Sequence, residues 1–177
     1  MSNIMIRALL LTLISGLSLQ GCAQPKPERL GAPIEGYSHT SAAINRFSVN
    51  GNGGPNLAPY GYGGGQMCCA PMPVKWHSGL TVVVEWEKDP NPHDSGNWPK
   101  PRYSEAWSKA AREHETHYTH HRAVVPVARY EELGMVNVHF LPCNQVAVSA
   151  GATYPGRPDY PFHFPQKMEE PATCPTS

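Results

Sequence analysis

Charge is scarce in this chain and neither sign predominates. Only 16% of residues are charged, with 14 Lys+Arg against 14 Asp+Glu and a formal net charge of +0. That balance supplies no field for nucleic acid and no polybasic patch for an anionic membrane. Signatures of catalysis are missing as well: there is no Gly-x-Ser-x-Gly elbow, no phosphate-binding Gly loop opening onto a helix, and no His-Glu-x-x-His pair. Leucine is sparse past the N-terminus. Six of its eleven occurrences fall between Leu9 and Leu19, which leaves five Leu against twelve Val in residues 22–177. Valine suits pleated strands better than helices. What is plentiful is Gly (16) and Pro (19), which argues against a helical bundle and for a loop-rich, mainly β protein.

One apolar run stands out. Arg7 precedes Ala8 to Leu19, a stretch of signal-peptide length that is too short to span a bilayer as a helix. It ends in Leu19-Gln20-Gly21-Cys22, which resembles a bacterial lipobox. The lipoprotein class implies acylation at Cys22, cleavage before it, and a stable membrane anchor made of several acyl chains, palmitate being typical. Ala23 after the lipid-bearing Cys favours the outer membrane by resemblance to sorting rules, and the expected location is the periplasm. Residues 1–21 are then the signal peptide and residues 22–36, rich in Pro, a flexible tether. Residues 37–177 form a single globular domain with a Pro-rich tail.

Within that domain, strands are expected at 44–49, 80–87, 124–130, 135–141 and 145–150. The clearest is 80–87, where Leu80, Val82, Val84 and Trp86 alternate with Thr81, Val83, Glu85 and Glu87. Short links predict that the last three strands are antiparallel neighbours. Residues 50–65 hold seven Gly, two Pro and two Tyr and read as an Ω-loop. Pro71 and Pro73 place 67–76 at a sheet edge, and 89–101 is a Pro-rich surface loop. One helix is expected at 104–118, with Ser104 as N-cap and Trp107, Ala111, His114 and Tyr118 on one stripe. The fold class is mainly β (α+β): an antiparallel sheet or sandwich with one helix packed across it and long Gly/Pro-rich loops.

Chemistry has few candidates. His114, His117 and His121 share a side if the helix continues through His-Glu-Thr-His-Tyr-Thr-His-His, and such spacing can bind zinc. The polar helix end is the simpler reading, so no cofactor is expected and zinc stands as the alternative. Ser78 and Ser149 lack a visible base, and no charge near Cys68-Cys69 would activate a thiol. Glu85 and Glu87 read as a solvated face. Besides Cys22, the cysteines are Cys68, Cys69, Cys143 and Cys174. An even number in an oxidising compartment suggests disulfides. Cys143 with Cys174 would leave Cys68 and Cys69 as a vicinal disulfide or as free thiols; pairing each of these with a distant partner is the other option.

The segments FSVNGNGG (47–54), YGYGGGQMCCAPMPVKWHSGLTVVVEW (60–86), VPVARYEELGMVNVHFLP (125–142) and PGRPDYPF (155–162) together resemble the lipoprotein family known as domain of unknown function 3304. The resemblance implies a small lipoprotein without enzyme activity, of a kind often encoded beside type VI secretion phospholipase effectors. It thereby implies an immunity protein, a lipase inhibitor that binds the incoming effector. The expected partners are that toxin and, through the anchor at Cys22, the membrane; nucleic acid is not expected. Tyr60 and Tyr62 of the Gly-rich loop, with Trp98 of the Pro-rich loop, are the candidate contact residues, unless they pack against the sheet. The competing readings are a metal-binding or redox lipoprotein using His114–His121 and Cys68-Cys69, and an envelope-structural lipoprotein.

Overall fold

A computed structural model describes residues 28–62 and 65–175. Its elements are β1 (Arg29–Ser38), β2 (Ala43–Val49), β3 (Asn52–Gly53), β4 (Met67–Pro73), β5 (Thr81–Asp89), α1 (Glu105–Glu115), β6 (Thr119–Pro126), β7 (Leu133–Phe140) and β8 (Val146–Gly151), with short 3-10 turns at Asp94–Asn97 and Pro142–Asn144. The strands form two four-stranded sheets. The first, sheet A, has the order β4-β1-β7-β8, and the second, sheet B, the order β3-β2-β5-β6. All pairings are antiparallel except β1 with β7. The fold is thus a β-rich α+β architecture with one α-helix among the described residues.

The sheets face each other across one apolar core. Ile34, Val136, Val138 and Val148 of sheet A meet Phe47, Val49, Val84 and Trp86 of sheet B. The Phe140 ring joins the layers, edge-on to Phe47 at 5.2 Å and tilted against Trp86 at 5.7 Å. Leu80, Val82, Val84 and Trp86 all point inward, as their alternation predicts. Glu87 departs from it. It is 8% exposed, because Arg46 bonds its carboxylate and Asn45 Nδ2 donates to it at 3.3 Å. Glu85 stays in solvent beside Arg122.

Residues 29–36 are not tether but most of β1, an interior strand of sheet A. Gly and Pro disguised it. Pro33 sits where the register to β4 shifts, a place that tolerates a missing N–H. Gly36 lies under Phe47, and a Cβ there would stand 2.9 Å from that ring. A linker-like composition here serves close contact between the layers. In β2 a register shift between Ile44 and Arg46 brings Ile44 to the core side with Phe47 and Val49, against simple alternation.

β6 pairs with β5, and β7 with β8, so the short link between β6 and β7 crosses from sheet B to sheet A. The expected antiparallel pairing of these two strands does not occur. Val127 instead makes a parallel bridge with Val148, and Trp76 Nε1 donates to the Val127 carbonyl at 3.0 Å. Pro126 ends an edge strand, as its missing N–H requires. Ser104 caps α1 by accepting from Trp107 N. The helix meets sheet B at the end of β5, where His114 Nε2 lies 3.1 Å from Asp89 Oδ2.

Candidate functional site

The Gly-rich loop is pinned to the end of β1. The amide of Ser38 donates to the Gly61 carbonyl at 2.7 Å, that of Tyr60 donates to the Thr40 carbonyl at 2.9 Å, and Tyr62 bridges Tyr37. Tyr60 holds a left-handed φ of 52°. This places Tyr60 and Tyr62 at one shallow depression with Tyr37, Phe164 and Gln166. Tyr62 is 68% exposed. Tyr60 is half-buried: Lys167 Nζ lies 5.4 Å from its ring centroid, and Gln166 donates to its carbonyl at 3.2 Å. Burial, and then its bond to Glu35, push the Tyr37 hydroxyl pKa well above the ordinary range. The third candidate, Trp98, is elsewhere. It packs edge-on to Trp107 at 5.2 Å and His114 at 5.3 Å, and so ties the Pro-rich loop to α1.

The histidines do not gather. α1 ends at Glu115, so the helical spacing assumed for His114, His117 and His121 fails. His114 is buried against Asp89, and the His117 ring centroid is 6.4 Å from it. His121 belongs to β6 and stacks on Trp86 at 5.1 Å, where burial, then Lys88, lower its pKa. His120 faces Glu87 at 3.6 Å. Among the described residues, one trio of Cys, His or carboxylate ligand atoms lies within 4.8 Å: Cys143, Glu170 and Cys174.

Those two cysteines form a disulfide, with Cα atoms 5.4 Å apart, and Cys68 is joined to Cys69. Of the connectivities open from sequence, this is the one with a vicinal pair. Glu170 locks the tail beside its disulfide. It accepts from Cys143 N at 2.7 Å and Lys88 Nζ at 3.0 Å, and these bonds hold its carboxyl pKa low despite burial, which acts the other way. Cys22, the expected signal peptide at residues 1–21 and residues 23–27 lie outside the described residues.

Sequence reasoning missed a buried polar chain on the outer face of sheet A. His39 Nδ1 lies 2.7 Å from the Pro165 carbonyl, which can only accept, so His39 carries its proton on Nδ1. A neutral His39 then accepts at Nε2 from His139 Nδ1–H at 2.9 Å. His139 in turn accepts at Nε2 from the Tyr160 hydroxyl at 2.6 Å. Ser149 donates to Tyr160 at 2.9 Å, and Asn137 Nδ2 donates to Ser149 at 3.4 Å. Every proton runs one way, from Asn137 to Pro165. Burial, then His39, lower the His139 pKa to about 3, and burial pushes Tyr160 up to about 12. The available signal was the polar half of an alternating strand, Asn137 and His139 between Val136, Val138 and Phe140. It matters because Tyr160, Phe162 and Phe164 of the tail cover it.

No curated protein and no solved structure matches this chain. The sequence model of the family described as "Protein of unknown function (DUF3304)" matches residues 37–148, from the end of β1 through the middle of β8. The chain belongs to that family.

Proposed function

We propose that this chain is a lipid-anchored periplasmic immunity protein, which neutralises a type VI secretion phospholipase effector by binding it, without chemistry of its own. The observation that carries the reading is the aromatic rim around Tyr60, Tyr62 and Tyr37, with Tyr62 exposed and the other two half-buried, on a scaffold of two packed sheets. Aromatic side chains on a rigid base are the usual anchors of protein interfaces, because they bury much area at small entropic cost.

The position of the rim fits an anchored binder. Six residues separate Cys22 from Arg29, a link that at full stretch spans at most about 25 Å. β1 then runs for ten residues, about 30 Å of strand, before it reaches the rim. An anchor at Cys22 therefore keeps the domain near the bilayer and presents the rim at the end of β1 away from the anchor. Association should depend little on salt, since a chain of formal net charge +0 steers weakly. The test is a titration of any phospholipase-type effector encoded beside the gene, with the wild type and with a Tyr60→Ala/Tyr62→Ala variant.

A further inference from the structure

The tail segment 160–168 is a strap across the outer face of sheet A. Tyr160 is buried in that face, while Phe162 and Phe164 stack on each other at 5.4 Å and both reach the His139 ring. The strap is held in its middle by the two histidines. Pro165 accepts from His39 Nδ1–H, and the Met168 amide donates to the His39 carbonyl at 2.8 Å. Gln166 and Lys167 then engage Tyr60, so the strap supplies one wall of the aromatic rim. Past Glu170 the Cys143–Cys174 disulfide keeps the strap attached whatever its middle does.

We propose that the His39–His139 pair is a pH-sensitive latch, which holds the strap closed while both rings are neutral and releases it, with that wall of the rim, when either ring takes a second proton. The hydrogen-bond directions carry this. A second proton on His39 would go to Nε2 and face the Nδ1–H of His139 across 2.9 Å, donor against donor. A second proton on His139 would go to Nε2 and force the Tyr160 hydroxyl to turn toward Ser149, and Ser149 toward Asn137. Asn137 presents its Nδ2 there, again a donor, while its buried Oδ1 has no partner. Turning the amide over would supply that acceptor but set Oδ1 against the Met135 carbonyl, where Nδ2 now donates at 3.3 Å. Neither ring can charge without breaking a buried bond, and a broken buried bond is costly.

The titratable and charged groups facing the pair are few. Glu35 and Tyr37 come from β1, with Tyr37 stacked on His139 at 4.9 Å and bonded to Glu35 at 2.9 Å. Tyr160 and Lys167 come from the strap, and Tyr60 and Tyr62 from the loop. The strap's own His163 is exposed. No carboxylate bonds either imidazole among the described residues, so nothing in direct contact offsets a positive ring.

The regulatory meaning rests on the rim being the docking surface; the latch itself does not, and its test involves no partner. The measurement is amide hydrogen exchange at Met168, as a protection factor corrected for intrinsic pH dependence. One histidine with an ordinary pKa of about 6.5 in the open form makes opening about tenfold or more easier between pH 6.5 and pH 5. Wild type should lose that much protection, and a His39→Gln/His139→Gln variant should not. Glu35→Gln and Glu170→Gln should each keep the wild-type slope. Should the double variant fail to fold, wild-type imidazole nitrogen shifts decide: protonation of the pair must accompany the loss of protection. Flat protection in wild type, an unchanged slope in a folded double variant, or charged rings beneath a protected strap would each overturn the latch.

Discussion

His139 shows how one residue escapes a pattern-based reading. In β7 it alternates with Val138 and Phe140, and polar residues at alternate strand positions read as a solvated face. It is 3% exposed, because the tail covers that face and supplies its hydrogen-bond partner. Glu87 escaped for the same reason, its cover coming from Arg46 across the strand pair. By contrast Ser104 was legible, since an N-cap is a contact within one turn. The buried imidazole has a consequence for stability. His139 titrates far below a free histidine when folded, so the unfolded chain binds more protons between its ordinary pKa and that lowered value. Its contribution is fully present above about pH 6.5 and is lost as pH falls toward 3, at up to ~1.4 kcal/mol per pH unit. Urea unfolding midpoints should therefore drop between pH 7 and pH 5 in wild type, and drop less in His139→Gln.

Among the elements, those with local signals were legible and those defined by distant partners were not. β5 announces itself by alternation, and α1 by its cap and stripe. β1 does not, because Gly36 and Pro33 answer to Phe47 and β4, partners on other strands that no local pattern reveals. The switch of β6 and β7 to different sheets is likewise a tertiary choice that a short link conceals. The histidine cluster failed as a metal candidate through one local error, the assumption that the helix runs on past Glu115. The tail covers the outer face of sheet A as the strap closed by Cys143–Cys174. Closing a loop of this separation typically stabilises by about 2–4 kcal/mol. Cys174→Ser should lower the melting temperature and increase proteolytic cleavage between Phe164 and Glu170, with β-sheet circular dichroism retained.

At the scale of the whole molecule two packed sheets present aromatics at the end of β1, and the proposal ties that body to a membrane by its N-terminus. The family was legible from the combined order of segments 47–54, 60–86 and 125–142, which lie within the matched span; the segment 155–162, β1 up to Gly36 and the strap lie outside it. Anchoring is the first requirement of the proposal. Cys22→Ala should leave the protein in the soluble fraction or unprocessed, whereas wild type should sediment with membranes; equal partitioning of the two would remove the lipoprotein reading. Binding is the second requirement of the proposal, and it is tested most directly by titrating any phospholipase-type effector encoded beside the gene with purified protein lacking residues 1–22. Effector activity should fall linearly to a fixed molar ratio, independent of incubation time, and Tyr60→Ala/Tyr62→Ala should weaken the complex at least about tenfold while remaining folded. Inhibition at substoichiometric amounts, growing with time, would contradict the account, as would the absence of any complex.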